Sequence, residues 1–154
     1  MNGEERERLL QQVYRYAWFL DEKQFDRWIE LFAEGASYVV TTEENVRCGY
    51  AFAPIRESKE TLRERLAEWQ RLWWIDPAVT SRVIANPLVE AEGPIRARVR
   101  FYMMLYRTKD GHLTELVGCA KCSTLWEKED DCWRLREFTA ILDSGIIPGV
   151  LEIF

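Results

Sequence analysis

The sequence predicts an α+β fold in which helices precede a set of long antiparallel strands. Apolar residues recur at helical spacing in the first half of the chain, and alternation of apolar and polar residues takes over after Pro77. Short turn sequences, such as the KDGH of Lys109–His112, separate the alternating runs. Long strands with one apolar face should curl around helices packed on that face. We therefore expect a cone-shaped, curved antiparallel sheet wrapped on about three helices.

The first half of the chain contains three predicted helices. The first covers Glu4–Leu20 and the second covers Glu22–Phe32, with Gly35 ending it. The segment ASYVV then predicts a short strand, and TTEENVRCG is expected to be a loop because it has no periodicity. A third helix is predicted over Ser58–Trp73, with the hydroxyl of Ser58 as its cap.

The second half reads as a meander of strands. These are VTSRVIANPLVEAE, IRARVRFYMMLYR, Leu113–Trp126 and Cys132–Leu142, with turns at EGP, KDGH and EKEDD. In the second of them, alternate positions from Ile95 to Leu105 are apolar, and arginines lie between them. Such a sheet on three helices is the arrangement of NTF2-like, or cystatin-like, proteins, and we expect that fold.

Composition and charge argue against several classes of function. The chain has 154 residues, 47% of them hydrophobic, which is enough for a single domain over 1–154 with one large core. Its 21 basic and 26 acidic residues are interspersed, so nucleic-acid binding is not expected. No apolar run approaches ~18 residues and the charged start lacks a signal core, so we expect neither membrane insertion nor export, but a cytoplasmic location with reduced cysteines.

The pair Cys119 and Cys122 has the Cys-x-x-Cys spacing used by zinc, iron–sulfur and redox sites. It lies inside a predicted strand, where residues three apart point to opposite faces. The two thiols are therefore expected to be packing residues that share no metal ion, and Cys48 and Cys132 have no site spacing. We expect no metal site in this chain.

Three further residues are candidates for catalytic groups. His112, the only histidine, falls in a predicted turn and is expected to be solvated. Asp21 and Asp76 are the candidates for a buried base within the cone. Asp21 also fits as the cap of the second helix, and Asp76 precedes Pro77 in a common turn opening. We therefore expect no catalytic and no cofactor-binding residue here.

Two surfaces are candidate interfaces. Arg96, Arg98 and Arg100 share one strand face, which suits either solvent or acidic groups of a partner. The apolar tail is the other, and we expect Val150–Phe154 to pack on the sheet or on another subunit, with Val150, Leu151, Ile153 and Phe154 as its contact residues.

Four segments in order resemble one family. They are YAWFLDEKQFDRWIELFAEGASYVV, TTEENVRCGYAFAPIRESKETLRERL, DPAVTSRVIANPLVEAE and WRLREFTAILDSGIIPGVLEIF. In the third segment the matching positions are Pro77, Arg82, Asn86 and Val89; in the fourth they are Trp133, Arg134, Leu135, Leu142 and Asp143. Together they resemble the small (beta) subunit of bacterial aromatic-ring-hydroxylating dioxygenases, in the branch that includes the salicylate, anthranilate and terephthalate systems.

The resemblance implies a non-catalytic scaffold subunit. In that family a large (alpha) subunit carries the Rieske [2Fe-2S] cluster and the mononuclear iron, and the small subunit carries neither. Large and small subunits assemble as three plus three, and the complex adds O₂ to an aromatic ring with electrons from NADH. A homotrimer of the small subunit alone is also conceivable under this reading.

Two alternatives remain open on the sequence alone. One is a stand-alone lyase or isomerase of the same fold, with Asp21 or Asp76 as the base. The other is a homo-oligomeric protein that binds a small molecule in the cone. The aromatic substrate is not encoded in this chain under the first reading, because the large subunit selects it.

Overall fold

The computed structural model describes residues 1–50, 53–75 and 77–145. Within them the chain forms four helices and six strands. In chain order these are α1 (Gly3–Asp21), α2 (Phe25–Glu30), β1 (Phe32–Thr42), α3 (Glu43–Arg47), β2 (Ile55–Ser58), α4 (Lys59–Ile75), β3 (Ala78–Ala91), β4 (Arg96–Lys109), β5 (Glu115–Glu129) and β6 (Cys132–Leu142).

The six strands form one curved sheet in the order β2-β1-β6-β5-β4-β3. Neighbouring strands are antiparallel except β1 and β6, which are parallel. The predicted α+β class and curved sheet are confirmed, and the parallel pair makes the sheet mixed. It arises because the meander β3–β6 ends beside β1, so β6 joins a strand from the other end of the sequence.

The inner face of the sheet is apolar, as the alternation in β4 predicts. Ala97, Val99, Phe101, Met103 and Leu105 are all buried. Their neighbours on β5 and β6 continue the same face, because Phe101 pairs with Cys122 and Cys122 with Ala140. Ile95 precedes β4 and is half exposed, so the inward run begins at Ala97.

The helices cover this inner face. α1 packs on β3, and α4 packs on β1. The buried side of α1 includes Leu9, Val13 and Leu20, and that of α4 includes Leu62 and Leu66. These are the apolar positions at helical spacing, so sequence periodicity alone identifies which side of each helix faces the core.

The structure corrects three local predictions. The second helix is shorter than predicted and ends at Glu30, because the chain enters β1 at Phe32. Gly35 lies within β1, where its φ of +72° accommodates the irregularity between Phe32 and Ser37. The expected loop after β1 contains α3, whose start is capped by the Thr42 hydroxyl accepting from the Asn45 N–H at 3.2 Å.

The third predicted helix corresponds to α4. The Ser58 hydroxyl accepts from the Thr61 N–H at 3.3 Å, as the predicted capping role requires. The four residues before α4 form the short strand β2, which pairs with β1. No clear pattern in the sequence predicts this strand.

Candidate functional site

Strand β3 carries its side chains in an unusual order. Thr80 and Arg82 face the cone and are buried, whereas Val79 and Val83 lie on the outer face and are 66% and 44% exposed. A strand at the edge of a one-sided sheet normally places its valines inward. The inversion puts polar groups inside the cone and apolar groups outside it, so both faces of β3 need an explanation.

Inside the cone, Arg82 is held by Asp21. The Arg82 side chain has no exposed surface, and its Nη1 donates to Oδ1 of Asp21. The backbone N–H of Arg82 donates to Asp21 Oδ2 at 2.7 Å, and the Thr80 hydroxyl donates to Oδ1 at 3.2 Å. Asp21 is the last residue of α1, so this carboxylate ties the end of that helix to the edge strand.

This geometry overturns the capping role predicted for Asp21. The residue that precedes α2 is Gln24, and its side chain makes no capping hydrogen bond. The Asp21 carboxylate instead neutralises a buried guanidinium and accepts a backbone N–H of β3, the edge strand of the sheet that the described residues form. Sequence reasoning missed this because the two residues are 61 positions apart.

The same contacts bear on catalysis. A general base needs a carboxylate oxygen that faces the substrate proton. Both oxygens of Asp21 already accept hydrogen bonds from β3, and Oδ1 accepts two. The arrangement is that of a structural clamp, and no Asp or Glu among the described residues is fully buried elsewhere in the cone.

Lys23 adds a second cation near the clamp. Its Nζ donates to the Asp21 carbonyl oxygen at 3.3 Å. Burial lowers the pKa of Lys23, and the nearby charge of Arg82 lowers it further. The residue has a φ of +57°, a left-handed conformation that turns the chain from α1 towards α2.

A cluster of aromatic side chains packs together in another part of the described cone interior. The ring of Phe138 stacks with Tyr16 and with Tyr38, with centroids 4.9 Å apart in both pairs. Burial raises the pKa of Tyr16 well above its ordinary value, and the neighbouring Tyr38 contributes. Trp28 is fully buried, and its Nε1 has no hydrogen-bond partner among the described residues. These groups fill space between sheet and helices.

Cys119 and Cys122 lie within a strand, as the sequence predicts. Cys119 and Cys122 are both within β5, where Cys122 is buried on the inner face beside Phe101 and Cys119 is half-buried beside Met104. Burial raises the pKa of the Cys122 thiol. Cys48 and Cys132 are exposed. The opposite orientation of the pair is confirmed, and within the described residues no three potential metal ligands come together.

Of the other predicted residues in this group, the structure describes only His112. His112 is exposed in the turn between β4 and β5, as expected. Asp76 lies outside the described residues, and so do the tail residues Val150, Leu151, Ile153 and Phe154.

The arginine row lies on the outer face, where glutamates of the same chain pair with it. Arg96 Nε is 2.9 Å from Glu127 Oε1, and Arg98 Nε is 2.8 Å from Glu92 Oε1. Arg100 pairs with Glu90. Their role as an interface stays a prediction, and their charges are already balanced within the chain.

Towards the other end of the strands the outer face becomes apolar. We call this surface the outer apolar patch; it consists of Val79, Val83, Leu88, Tyr102, Met104 and Leu116. A shallow cavity of about 300 Å³ opens beside Tyr102 and Leu88, with Lys121 and Ile141 also at its wall. It lies where Asn86, at φ +53°, interrupts the pairing of β3 with β4.

Comparison with known proteins identifies the family. The SnoaL-like domain matches residues 2–139, so the chain belongs to the SnoaL-like domain family. No helix in the described residues is long and apolar enough to cross a membrane.

Three solved structures with the same fold come from ring-oxidising enzymes. A protein described as the beta subunit of an aromatic-ring-hydroxylating dioxygenase from Novosphingobium aromaticivorans is 19% identical, with a TM-score of 0.79 over 88% of this chain and 87% of that one. The beta subunit of benzoate 1,2-dioxygenase from Burkholderia mallei is 16% identical, with a TM-score of 0.75 over 88% of each chain. A chain of naphthalene 1,2-dioxygenase is 16% identical, with a TM-score of 0.77 over 96% of this chain and 83% of that one. At these identities the similarity establishes the fold alone.

Proposed function

We propose that this member of the SnoaL-like domain family is the non-catalytic beta subunit of a Rieske non-haem iron aromatic-ring-hydroxylating dioxygenase. The observation that supports this most directly is the Asp21–Arg82 clamp. The carboxylate that the sequence offered as a base is engaged in holding α1 on β3. The fold similarity to beta subunits of such dioxygenases points in the same direction.

The donor atoms of this chain do not fit either iron centre of such an enzyme. A Rieske cluster takes two histidines and two cysteines, and a mononuclear iron of the facial-triad type takes two histidines and a carboxylate. The sequence has one histidine, His112, and its Cys119 and Cys122 point to opposite faces of β5. Both centres therefore belong to a large subunit under this proposal, and no reaction step passes through the present chain.

The contribution of this chain is then structural. Its sheet and helices provide a body whose outer surfaces are available for assembly. Because the substrate is bound elsewhere, variants of the cone should change assembly and stability more than the choice of aromatic substrate.

The proposal predicts that a Rieske-type large subunit is encoded beside this gene, and the test is co-expression of the two chains. A tagged large subunit should retain the present chain in fixed stoichiometry through gel filtration, and iron should be found in the complex. The chain purified alone should contain no stoichiometric iron after desalting. If no neighbouring oxygenase subunit retains the chain, the proposal is wrong.

An Asp21→Asn variant distinguishes a scaffold subunit from an enzyme that uses Asp21 as its base. Turnover per assembled complex should stay within a few-fold of the native value, because Asp21 touches no substrate. A loss of ~10³ or more with assembly intact is the scale of a deleted general base, and it would favour a lyase or isomerase instead.

A further inference from the structure

We propose that the C-terminal tail, Ile146–Phe154, lies along an open edge of β5 as a continuation of β6. The tail lies outside the described residues, and its place is inferred from the surfaces that flank the end of the described chain. A site on β5 makes specific the packing that the sequence predicts for Val150–Phe154. The inference concerns one chain on its own and does not depend on the proposed function, which concerns a large subunit.

The start of β5, Glu115–Gly118, pairs with a strand on one side only. On that side Glu115, Leu116 and Gly118 are in register with residues of β4. On the other side, pairing with β6 begins at Ala120, and no other described strand reaches the segment. The hairpin of β4 and β5 therefore projects beyond the end of β6. It leaves a strand edge whose N–H and C=O groups can pair with a further strand.

The same edge carries exposed apolar side chains. Leu116 is 52% exposed, and Leu113, just before the strand, is 92% exposed. Val117 is partly buried and packs against the core. Proteins usually charge, shorten or cover a strand edge that is both apolar and unpaired, because such an edge otherwise pairs with other chains. This edge is therefore expected to be covered by a further strand.

The described chain arrives at this edge in the required direction. β6 is antiparallel to β5, and beyond its last paired residue the Asp143 N–H donates to the Cys119 carbonyl at 3.0 Å. Gly145 lies beside α3, because a Cβ built on it would be 2.9 Å from Oε2 of Glu44. The chain thus leaves the sheet with β5 on one side and α3 on the other. A continuation of β6 along Glu115–Gly118 requires no crossover connection.

The tail has the length and the composition of an edge strand. Its nine residues, IIPGVLEIF, span up to ~30 Å when extended, and the open segment of β5 is about 13 Å long at ~3.3 Å per residue. Six of the nine are apolar and four are β-branched, the class of residue that strands prefer. Pro148 lacks an N–H, which an edge strand tolerates where that position faces away from the ladder.

Tethering favours the tail over a strand from another molecule. The tail follows directly on Gly145, only two residues after the Asp143 hydrogen bond to β5. A segment held on so short a connection has an effective concentration on the order of millimolar at the neighbouring edge. A strand of a second molecule must exceed this concentration or bind more tightly, so the tail of the same chain is the occupant.

The test is hydrogen–deuterium exchange of the full chain with a matched pair of variants. Leu116 and Val46 are 52% and 50% exposed, and they lie on β5 and α3, the two elements that flank the end of the described chain. In the native chain the amides of Val150–Phe154 should exchange at least ~10-fold more slowly than in an unstructured peptide. Leu116→Asp should remove this protection. Val46→Asp should leave it unchanged, because it places its charge on α3 instead of on the edge.

A reciprocal variant reads out the other strand. Val150→Asp combined with Ile153→Asp charges the tail and changes no described residue. It should raise the exchange rate of the Glu115–Gly118 amides that face the edge by a similar factor. The amides of Cys122–Trp126, which pair with strands on both sides, should keep their native rates. Should Leu116→Asp fail to fold, this variant asks the same question from the tail.

Three results would overturn the proposal. The tail of the native chain could exchange like an unstructured peptide, or Val46→Asp could release the tail as Leu116→Asp does. Protection of the edge could also fall when the chain is diluted, which would mean that a strand of another copy covers it. Retention by a large subunit is measured separately by co-expression, so the failure of either proposal leaves the other standing.

Discussion

The two faces of the sheet use the same chemical groups in different ways. On the inner face, Arg82 and Asp21 form an ion pair in which the guanidinium is fully buried. On the outer face, Arg100 and Glu90 form a pair whose side chains are both about half exposed. Water stabilises the separated charges of the outer pair but cannot reach the guanidinium of the inner one. An Arg–carboxylate pair should therefore contribute strongly to the free energy of unfolding on the inner face and very little on the outer face.

The faces also differ in how they treat apolar side chains. Met103 is fully buried among the core residues, whereas its neighbour Met104 is half-buried on the outer face. The four predictions below test this contrast, beginning with the largest expected effect.

Thiol reactivity should separate the faces most strongly. Cys132 is exposed and should react with a maleimide at once, whereas Cys122 can react only when the chain opens. With a free energy of unfolding of at least about 5 kcal/mol, Cys122 should react at least about a thousandfold more slowly than Cys132. Peptide mapping by mass spectrometry after timed labelling measures both rates. Comparable rates would mean that β5 does not bury Cys122.

The pH dependence of stability sharpens the thiol comparison. Burial also raises the pKa of Cys122 above its ordinary 9.0. The unfolded chain then loses this proton at a lower pH than the folded one, so the contribution of Cys122 to stability is constant below about pH 9 and falls as the pH rises beyond it. A Cys122→Ser control should show a smaller fall, to which the buried Tyr16, whose pKa is also raised, still contributes at higher pH.

Breaking the buried ion pair should have the next largest effect. Asp21→Ala leaves the Arg82 guanidinium buried without its carboxylate, which should cost about 3–5 kcal/mol in the free energy of unfolding. Urea denaturation followed by circular dichroism measures this loss. Adding Arg82→Met should restore part of it, because an apolar side chain of similar length removes the buried charge. If the double variant is no more stable than Asp21→Ala, the unpaired charge of Arg82 is not the cause of the stability loss.

Adjacent methionines provide a matched pair for packing. Met103→Ala removes a fully buried side chain and should lower the free energy of unfolding by about 2–5 kcal/mol. Met104→Ala should lower it by less than about 1 kcal/mol at the same protein concentration. Equal losses of unfolding free energy in urea melts would show that the two methionines are buried to the same extent. That result would contradict the assignment of Met103 to the inner face of β4 and Met104 to the outer face.

The exposed ion pair should contribute least. Glu90→Ala removes the carboxylate that pairs with Arg100, and we expect a change below about 1 kcal/mol that shrinks further in high salt. Thermal melts with and without added salt measure it. A loss as large as that of Asp21→Ala would mean that the outer face is desolvated in solution, for instance by a tightly bound partner.

The sequence predicts those structural features whose pattern lies among neighbouring residues of the chain. The 3.6-residue period of α1 and the alternation of β4 predicted both elements and their buried sides, because each depends only on neighbouring residues. The strand position of Cys119 and Cys122 followed for the same reason, and with it their opposite orientation. β2 and α3 were missed because each is five residues or fewer, too short for a period to emerge.

What the sequence did not determine is the partner of a charged residue. Asp21 has the local context of a helix cap, and only the packing of α1 across β3 brings it to Arg82. The one available hint was a basic residue within an apolar strand, which indicates a buried partner without naming it. Likewise, the sequence assigned neither side of β3 to the core. The helices decide this, because they cover only one face, and the tertiary structure thereby turns Arg82 inward and leaves Val79 and Val83 outside.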